Sequence, residues 1–368
     1  MTYIHEQKNW PHFKWSTEAI GNQLAEVRHR QGRLIGRMEA LGFDLQAEAV
    51  LQTMTEDVVK SSEIEGEKLD KEQVRSSIAR RLGMDAGALA PIDRNVEGVV
   101  ELMLDATQNY AKPLAEDRLF DWHAALFPTG RSGMLRIAVG AWRNADTDPM
   151  QVVSGAFGRE HVHFQAPDAS RLPDEMAAFL SWLDGERNID PVLKAAVAHF
   201  WFVTIHPFED GNGRIARAIA DMALARSEAS PQRFYSMSAQ IRLERKNYYA
   251  ALERAQKGDL DITDWIVWFL GCLDRAFVGA EQILAAVLRK AHFWRDVAGL
   301  PVSDRQRAMI NRLLDGFDGK LTSSKWAKLT KVSPDTALRD INDLLARGVL
   351  VKDEGGGRST GYALKLKN

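Results

Sequence analysis

One segment of the sequence is apolar on nearly every side of the helix that it would form. This segment, VLKAAVAHFWFVTI, covers residues 192–205. Asp190 is a preferred type of helix N-cap, and Pro191 suits the first helical turn. A helix without a polar face has to be surrounded by other parts of the chain. The sequence therefore predicts a central, buried helix that ends at His206, with the fold arranged around it.

Helical periodicity also dominates most of the remaining sequence, which has 368 residues in all. Apolar residues recur at helical spacing over residues 16–41, 46–65 and 94–110, which predicts a mainly α fold. Residues 130–167 differ, because they are rich in glycine, arginine and β-branched residues. There MQVVS and HVHF flank the glycine-containing stretch GAFGRE, a pattern that predicts a β-hairpin.

The segment that follows the central helix reads HPFEDGNGRIAR. Gly211 and Gly213 allow a tight turn whose N–H groups point into one concavity, beside the positive end of the next helix. Arg214 and Arg217 lie three residues apart at the start of that helix, so both can reach anionic oxygens there. Asn212 adds an amide donor. These residue types predict a cradle for phosphate groups.

Two further side chains of this segment suit group-transfer chemistry. His206, at the end of a rigid helix, is placed to take a proton from an incoming nucleophile. Asp210 is a hard oxygen ligand beside the cradle, suited to a phosphate-bridging Mg²⁺. Together with the two arginines, these groups indicate phosphoryl or nucleotidyl transfer. Each feature taken alone has an ordinary alternative. The glycines would form a simple turn between helices, the arginines would be solvated, and the histidine before proline would be structural.

The same segment resembles the Fic signature, H-P-F-x-D/E-G-N-G-R-x-x-R, and matches it at every specified position. The resemblance implies a protein adenylyltransferase that transfers AMP from ATP to Ser, Thr or Tyr hydroxyls of target proteins and of itself. It implies His206 as the general base and Asp210 as the ligand of Mg²⁺. It implies ATP binding by Gly211, Asn212, Gly213, Arg214 and Arg217. Catalysis would then consist mostly of positioning and charge neutralisation.

Fic proteins also have a flap, a β-hairpin that holds the target segment by strand addition. MQVVSGAFGREHVHF lies in the corresponding place, so the resemblance implies Val152, Val153 and Ser154 as flap residues near the nucleotide. An ordinary surface hairpin is the alternative. The resemblance further implies that Tyr248, Tyr249 and Gln256 line the adenosine site. Aromatic pairs at helical positions are more often part of a core, which is the alternative for the two tyrosines.

One class of Fic proteins carries an inhibitory helix with the pattern S/T-x-x-x-E-G/N, and SSEIEG at residues 61–66 resembles it. In this resemblance Ser61, Glu65 and Gly66 are the inhibitory residues. Glu65 would pair with Arg217, so that a carboxylate stands where the γ-phosphate of ATP belongs. A Ser and a Glu four residues apart also occur on many solvated helices, which is the alternative.

The sequence predicts four regions. We expect an N-terminal helical region over residues 1–93, with the inhibitory helix at about 46–66, and a Fic catalytic domain over residues 94–275. A connecting helix is expected over residues 276–302. A winged helix-turn-helix is expected over residues 303–368, because three short helical patterns precede a hairpin there.

The predicted winged helix suggests DNA as a partner. Its recognition helix would begin at Ser333-Pro334 and expose Lys331, Asp335, Thr336 and Arg339, with Arg358 in the wing. Its buried stripe would comprise Ala337, Leu338, Ile341, Leu344 and Leu345. Three aspartates oppose binding to a phosphate backbone, so protein docking or dimerisation is the alternative. The resemblance also leaves a homodimer open.

Other functions remain as alternatives at this stage. A nucleotide-responsive, DNA-binding transcriptional regulator is one, and a Fic enzyme with deAMPylase activity or another phosphate donor is a second. A metallohydrolase site of His163, His199 and His206 is not favoured, because no closely spaced ligand set accompanies them. Cys272 is the only cysteine, which excludes an intrachain disulfide. We expect a cytoplasmic protein without a membrane span, since no signal-peptide pattern or long apolar window occurs.

Overall fold

The computed structural model describes residues 2–84, 92–144, 149–155, 159, 161–317, 319–353 and 360–365. These residues form two compact units, Met1–Glu281 and Gln282–Asn368. Most of them are helical, and the strands are short and occur in antiparallel pairs. This confirms the prediction of a mainly α fold with hairpin strands. The predicted boundaries of the four regions stay predictions.

The first unit contains ten complete α-helices, two short 3-10 helices (Ile4–Glu6 and Ala169–Arg171) and two strand pairs among the described residues. The helices are α1 Thr17–Glu39, α2 Phe43–Ile64, α3 Lys71–Arg81, α4 Arg94–Gln108, α5 Glu116–Leu126, α6 Leu172–Gly185, α7 Pro191–Ile205, α8 Asn212–Glu228, α9 Met237–Leu243 and α10 Arg245–Gln256. The strand pairs are β1 Arg131–Ser132 with β2 Leu135–Arg136, and β3 Gln151–Ser154 with β4 His161–Gln165. Helix α11, Thr263–Asp296, begins in this unit. It is continuous across residue 275, where the predicted catalytic domain ends and the predicted connecting helix begins.

Helices α7 and α8 form the centre of this unit. Asp190 caps α7 through its carboxylate, which accepts hydrogen bonds from the N–H groups of Val192 and Leu193. Every residue of α7 from Ala195 to Ile205 is buried. Helix α8 packs against α7 and also contacts α2, α4, α5 and α9. The loop between α7 and α8 is therefore held by two helices that the rest of the unit surrounds.

The second unit contains the last part of α11, three complete α-helices and one strand pair in its described part. The complete elements are α12 Asp304–Leu314, α13 Ser323–Thr330, α14 Pro334–Ala346, β5 Leu350–Lys352 and β6 Tyr362–Leu364. Trp326, Ile341 and Leu344 lie at the centre of its apolar core. Leu338, predicted to be buried, is 44% exposed. The winged-helix assignment stays a prediction, and Arg358 lies outside the described residues.

Among the described residues, no helix combines the length and the apolar character that crossing a membrane requires.

The close packing of α4 on α5 leads to a first prediction. A Cβ atom added at Gly98 would lie 1.7 Å from the backbone oxygen of Ala125, and a backbone oxygen has no rotamer by which to move away. We expect Gly98→Ala to lower the free energy of unfolding by about 3 kcal/mol, as overpacking does. Urea denaturation measures this change.

Gly32 provides the matched control. It lies within α1, and an added Cβ would meet nothing within 4 Å. Gly32→Ala should raise stability by about 0.5–1 kcal/mol, because alanine restricts the unfolded chain. If both variants gained stability equally, the described contact between α4 and α5 would be wrong.

Candidate active site

The loop between α7 and α8 begins with an unusual backbone conformation at His206. This residue has a φ of 53° and ends α7, with its N–H donating to the oxygen of Phe202 at 3.0 Å. Arg143 fixes the next peptide units, since its Nε donates to the oxygen of His206 and its backbone N–H donates to Pro207, both at 2.9 Å. The left-handed turn redirects the chain away from the helix axis. The imidazole of His206 is thereby carried on a constrained backbone.

Glycine is required at position 211, at the other end of the loop. Gly211 has a φ of 81° and precedes α8. A Cβ atom there would lie 2.9 Å from the ring of Phe127, so both the backbone angle and the space favour glycine.

Asn212 stabilises the loop from within. Its Oδ1 accepts from the N–H of Phe208 at 2.9 Å, and its Nδ2 donates to the oxygen of Phe208 at 2.8 Å. Asn212 is buried, so these bonds replace water. The sequence predicts its amide as a donor to phosphate, and the structure places both amide atoms on the loop backbone. Asn212 therefore shapes the cradle. The second N–H of Nδ2 is not used by these bonds, so the role of Asn212 in ATP binding stays a prediction.

The tautomer of His206 follows from its hydrogen bond. Its Nδ1 lies 3.2 Å from the oxygen of Val203, and a carbonyl oxygen can only accept. Nδ1 therefore carries the proton, and Nε2 keeps the lone pair that a base needs. Burial lowers the pKa of His206 to about 4, with the Val203 hydrogen bond and the charges of Asp210 and Glu65 opposing that shift. At neutral pH the imidazole is uncharged and able to accept a proton.

Asp210 offers a carboxylate that fits a hard cation. Its Oδ1 accepts from the N–H of Gly211 at 2.5 Å, and its Oδ2 accepts from the hydroxyl of Ser132. A carboxylate has about four lone-pair positions, so both oxygens keep capacity for a ligand. Mg²⁺ binds proteins through one or two carboxylates together with substrate phosphates. The residues present therefore fit Mg²⁺ once a triphosphate lies in the cradle.

Arg217 is almost completely buried and takes its partners from α2. Its side chain is 1% exposed. Its Nε donates to Oγ of Ser61 and its Nη2 to the backbone oxygen of Ser61, both at 2.9 Å. Its Nη1 forms an ion pair with Oε1 of Glu65 at 2.8 Å. The predicted pairing of Glu65 with Arg217 is thus present in the structure.

The carboxylate of Glu65 also lies over the first turn of α8. A Cβ atom added at Gly213 would lie 2.2 Å from Oε1 of Glu65. At this end of a helix the free N–H groups and the helix dipole favour a negative group. Gly66, with a φ of 87°, follows Glu65 and turns the chain away after α2. A carboxylate therefore stands where the sequence predicts a phosphate.

Arg214 pairs with Glu67, an acidic partner that the sequence motifs did not predict. Its Nη1 forms an ion pair with Oε2 of Glu67 at 2.7 Å, and its guanidinium lies 5.1 Å from the ring centre of Phe127. The Arg214 side chain is 3% exposed, and its buried Nε has no hydrogen-bond partner among the described residues. The cradle therefore keeps a donor for an incoming anion. The signal available in the sequence was the repeated glutamate in EIEGEK.

The predicted adenosine residues lie mostly in the core. Tyr248 is buried and its hydroxyl lies 2.9 Å from Nε2 of His199, while Gln256 is buried and its Nε2 donates to Thr204 at 3.3 Å. Only Tyr249 of the three is substantially exposed, at 36%. Tyr248 and Gln256 could contact a nucleotide only if the residues that cover them moved aside. Their roles in ATP binding stay predictions.

The predicted flap residues lie on the strand pair β3–β4. Val152 pairs with Phe164 and Val153 with Val162, with a register irregularity between the two pairs. Val153 is 48% exposed, and Oγ of Ser154 lies 2.6 Å from Nε2 of His163. The structure thus provides an exposed hairpin at this position, while its contact with a nucleotide or a target stays a prediction.

The segment that contains this loop is similar to known proteins. Residues 113–224 match the Fic/DOC family, and residues 3–84 match a domain of unknown function, DUF4172. Protein adenylyltransferase Fic of Drosophila mojavensis is 27% identical over 263 residues, which cover 67% of this chain and 47% of that protein. A probable protein adenylyltransferase of Aquifex aeolicus is 30% identical over 101 residues, covering 27% of this chain and 29% of that protein.

Other relatives match shorter segments. Protein adenylyltransferase fic-1 of Caenorhabditis elegans is 38% identical over 89 residues, which cover 24% of this chain and 16% of that protein. The chain thus spans less than half of the length of these three curated relatives. Residues 113–224 are thus similar to a Fic domain, and the three curated relatives are named as protein adenylyltransferases.

Solved structures share the fold. A Fic family protein from Desulfovibrio desulfuricans has a TM-score of 0.54 at 24% identity, covering 96% of this chain and 98% of that one. A Fic domain containing signaling protein from Bacteroides thetaiotaomicron has a TM-score of 0.50 at 20% identity, covering 73% and 98%.

The buried histidines near the loop lead to a prediction about acid stability. His123 donates from Nε2 to the oxygen of Asp210 and accepts at Nδ1 from the N–H of Gly140, both at 3.2 Å, so the neutral ring satisfies both nitrogens. Burial lowers the pKa of His123 to about 4. In the unfolded chain histidine titrates near pH 6.5, so the unfolded state takes up the proton first. The stabilisation by neutral His123 is complete above about pH 6.5 and is lost as the pH falls towards 4.

Urea denaturation at several pH values measures this effect. We expect His123→Gln to be less stable than the wild type at pH 7, but to lose about 2 kcal/mol less between pH 6.5 and pH 5. The exposed His12 supplies the control, and His12→Gln should be as stable as the wild type at pH 7. Parallel pH profiles for the wild type and His123→Gln would contradict the assignment.

Proposed function

We propose that this chain is a protein adenylyltransferase that transfers AMP from ATP to Ser, Thr or Tyr hydroxyls, and that Glu65 holds it in an inhibited state. The observation that carries the proposal is the position of the Glu65 carboxylate. It lies over Gly213 and pairs with Arg217, in a place that favours an anion. A negative side chain held at that place supports a site made for negative ligands.

His206 supplies the proton acceptor in this proposal. The target hydroxyl oxygen attacks the α-phosphorus of ATP and its proton passes to Nε2 of His206. The new bond joins that oxygen to phosphorus, the bond to the oxygen that bridges to the β-phosphate breaks, and pyrophosphate leaves. Because Nδ1 of His206 is held by Val203, the basic nitrogen keeps one orientation throughout.

The cradle neutralises the triphosphate. Arg214 and Arg217 are buried guanidinium groups, and buried charges interact strongly with phosphate oxygens because little water screens them. The carboxylate of Asp210 would hold Mg²⁺. Bound there, the ion would neutralise charge that develops on the phosphate oxygens.

Inhibition in this proposal is competition between carboxylates and phosphates for the same arginines. Glu65 engages Arg217 at 2.8 Å and Glu67 engages Arg214 at 2.7 Å. The two glutamates lie in one short segment directly after α2. Glu67 is 47% exposed and Glu65 is 29% exposed, so we expect Glu65 to contribute more.

The flap supports a protein as the second substrate. Strands β3 and β4 form a sheet of two strands, so within the described residues β3 has one edge without a neighbouring strand. Such an edge offers free N–H and C=O groups to an extended peptide. The exposed Val153 lies on this strand.

The proposal predicts that Glu65→Gly raises AMP transfer about 10- to 100-fold. Loss of the ion pair frees Arg217 for phosphate, and each factor of 10 corresponds to about 1.4 kcal/mol of competing interaction. Incubation with radiolabelled ATP and Mg²⁺ measures incorporation into the chain and into added protein. Intact mass spectrometry then reports whether the added group is AMP.

Glu63→Gln is the matched control, because Glu63 lies on α2 but pairs with Lys60 and Arg242. Its incorporation should equal that of the wild type. Adding His206→Ala to Glu65→Gly should reduce transfer by at least about 100-fold. Equal incorporation in the wild type and Glu65→Gly would reject inhibition by Glu65, and transfer that survives His206→Ala would reject the base.

A further inference from the structure

A second group of side chains comes together between β4 and α10. His161 and His163 lie on β4, and Glu253 lies on α10. One ligand atom from each residue lies within 4.8 Å of the others. These three residues form the His-His-Glu cluster. None of its residues is used by the chemistry proposed for His206.

The backbone explains why these residues converge. Residues two apart on a strand point to the same face, so the two histidines of HVH share one side of β4. Helix α10 packs against β4 and supplies Glu253. The Nδ1 atom of His163 lies 2.8 Å from Oε2 of Glu253, and Nε2 of His161 lies 3.9 Å from Oε1.

The spacing suits a tetrahedral metal ion. Zinc binds histidine nitrogen and carboxylate oxygen at about 2.0–2.2 Å, which places neighbouring ligand atoms about 3.3 Å apart. The two observed separations, 2.8 Å to Oε2 and 3.9 Å to Oε1 of Glu253, lie on either side of this value. One ligand atom from each of the three residues lies within 4.8 Å of the others, so small side-chain shifts would bring them to this spacing. Two imidazoles and one carboxylate form a donor set typical of zinc and related transition metals. Magnesium prefers oxygen ligands alone.

A further contact orients one of the ligands. The Nε2 atom of His163 lies 2.6 Å from Oγ of Ser154, on the neighbouring strand. With Nδ1 bound to a metal, Nε2 carries the proton and donates it to that hydroxyl. Histidines that bind metals generally have such a partner on the second nitrogen.

Lys257 is the group that a metal would have to displace. Its Nζ lies 2.5 Å from Oε1 of Glu253, so a cation already occupies part of the carboxylate. The His161 side chain is 67% exposed, so an ion can reach the cluster from solvent. Removal of Lys257 should therefore leave the carboxylate more available to a metal ion.

We propose that the His-His-Glu cluster binds one Zn²⁺-class divalent cation. His161, His163 and Glu253 supply three ligands, and water or a group from a partner takes the fourth position. The ion ties the β3–β4 hairpin to α10, the helix that also carries Tyr248 and Tyr249. The site is separate in chemistry from Asp210, which offers oxygen alone.

Titration calorimetry of the full chain with Zn²⁺ tests the proposal. We expect one ion per chain, unaffected by a large excess of Mg²⁺. His161→Ala and Glu253→Gln should each weaken binding at least about 10-fold, and Ser154→Ala should also weaken it. His12→Ala, which removes an exposed histidine elsewhere, is the control and should bind as the wild type does. Unchanged affinity in His161→Ala and Glu253→Gln would overturn the proposal.

Lys257→Ala should change the Zn²⁺ affinity in the opposite direction. Because it removes the competing cation, it should tighten Zn²⁺ binding, whereas a general loss of structure would weaken it. Co²⁺ bound to the wild type should show visible absorption bands of a site with nitrogen and oxygen ligands. A thiolate-to-cobalt charge-transfer band should be absent, since Cys272 is buried. A thiolate-to-cobalt band, or weaker Zn²⁺ binding in Lys257→Ala, would contradict the assigned ligands. Neither measurement depends on AMP transfer, so the two proposals fail independently.

Discussion

The contact between Arg217 and the end of α2 is the interaction on which the arrangement of this site depends. A guanidinium group that is 1% exposed has to find partners in the protein, because an unpaired buried charge is strongly destabilising. Ser61 and Glu65 provide those partners. Their bonds fix the end of α2 over the first turn of α8. The same bonds occupy the place proposed for phosphate, so stability and inhibition would come from one set of contacts.

Helix α2 is also joined to its surroundings by a second buried polar group. The carboxylate of Asp57 accepts from the hydroxyl of Ser236 and from the N–H of Ser238. Nearby, Asp221 on α8 pairs with Arg233 at 2.9 Å. Burial raises the pKa of Asp221 well above its usual value, the charge of Asp57 adds to this shift, and Arg233 opposes it. Displacement of Glu65 therefore need not detach α2, because the Asp57 contacts anchor the helix about two turns before Glu65.

The loop between α7 and α8 shows how a rigid scaffold prepares side chains for chemistry. Arg143 donates a hydrogen bond to the backbone oxygen of His206, and the imidazole of His206 donates to the backbone oxygen of Val203. Asn212 donates to the backbone oxygen of Phe208 and so holds the loop itself. Burial keeps the imidazole neutral, because the charged form is poorly solvated there. A proton acceptor, a carboxylate and two guanidinium groups are thus held in place before any ligand arrives. Such preorganisation would reduce the reorganisation that the proposed reaction requires.

Sequence alone determined the features that depend on neighbours along the chain. The apolar run of residues 192–205 gave a central helix, and the glycines of the following loop gave its turn. Tertiary structure decided the contacts between distant segments. Arg214 and Glu67 are 147 positions apart, and His163 and Glu253 are 90 apart. Periodicity and capping act over a few residues, whereas these pairs exist only because tertiary packing brings the two segments together.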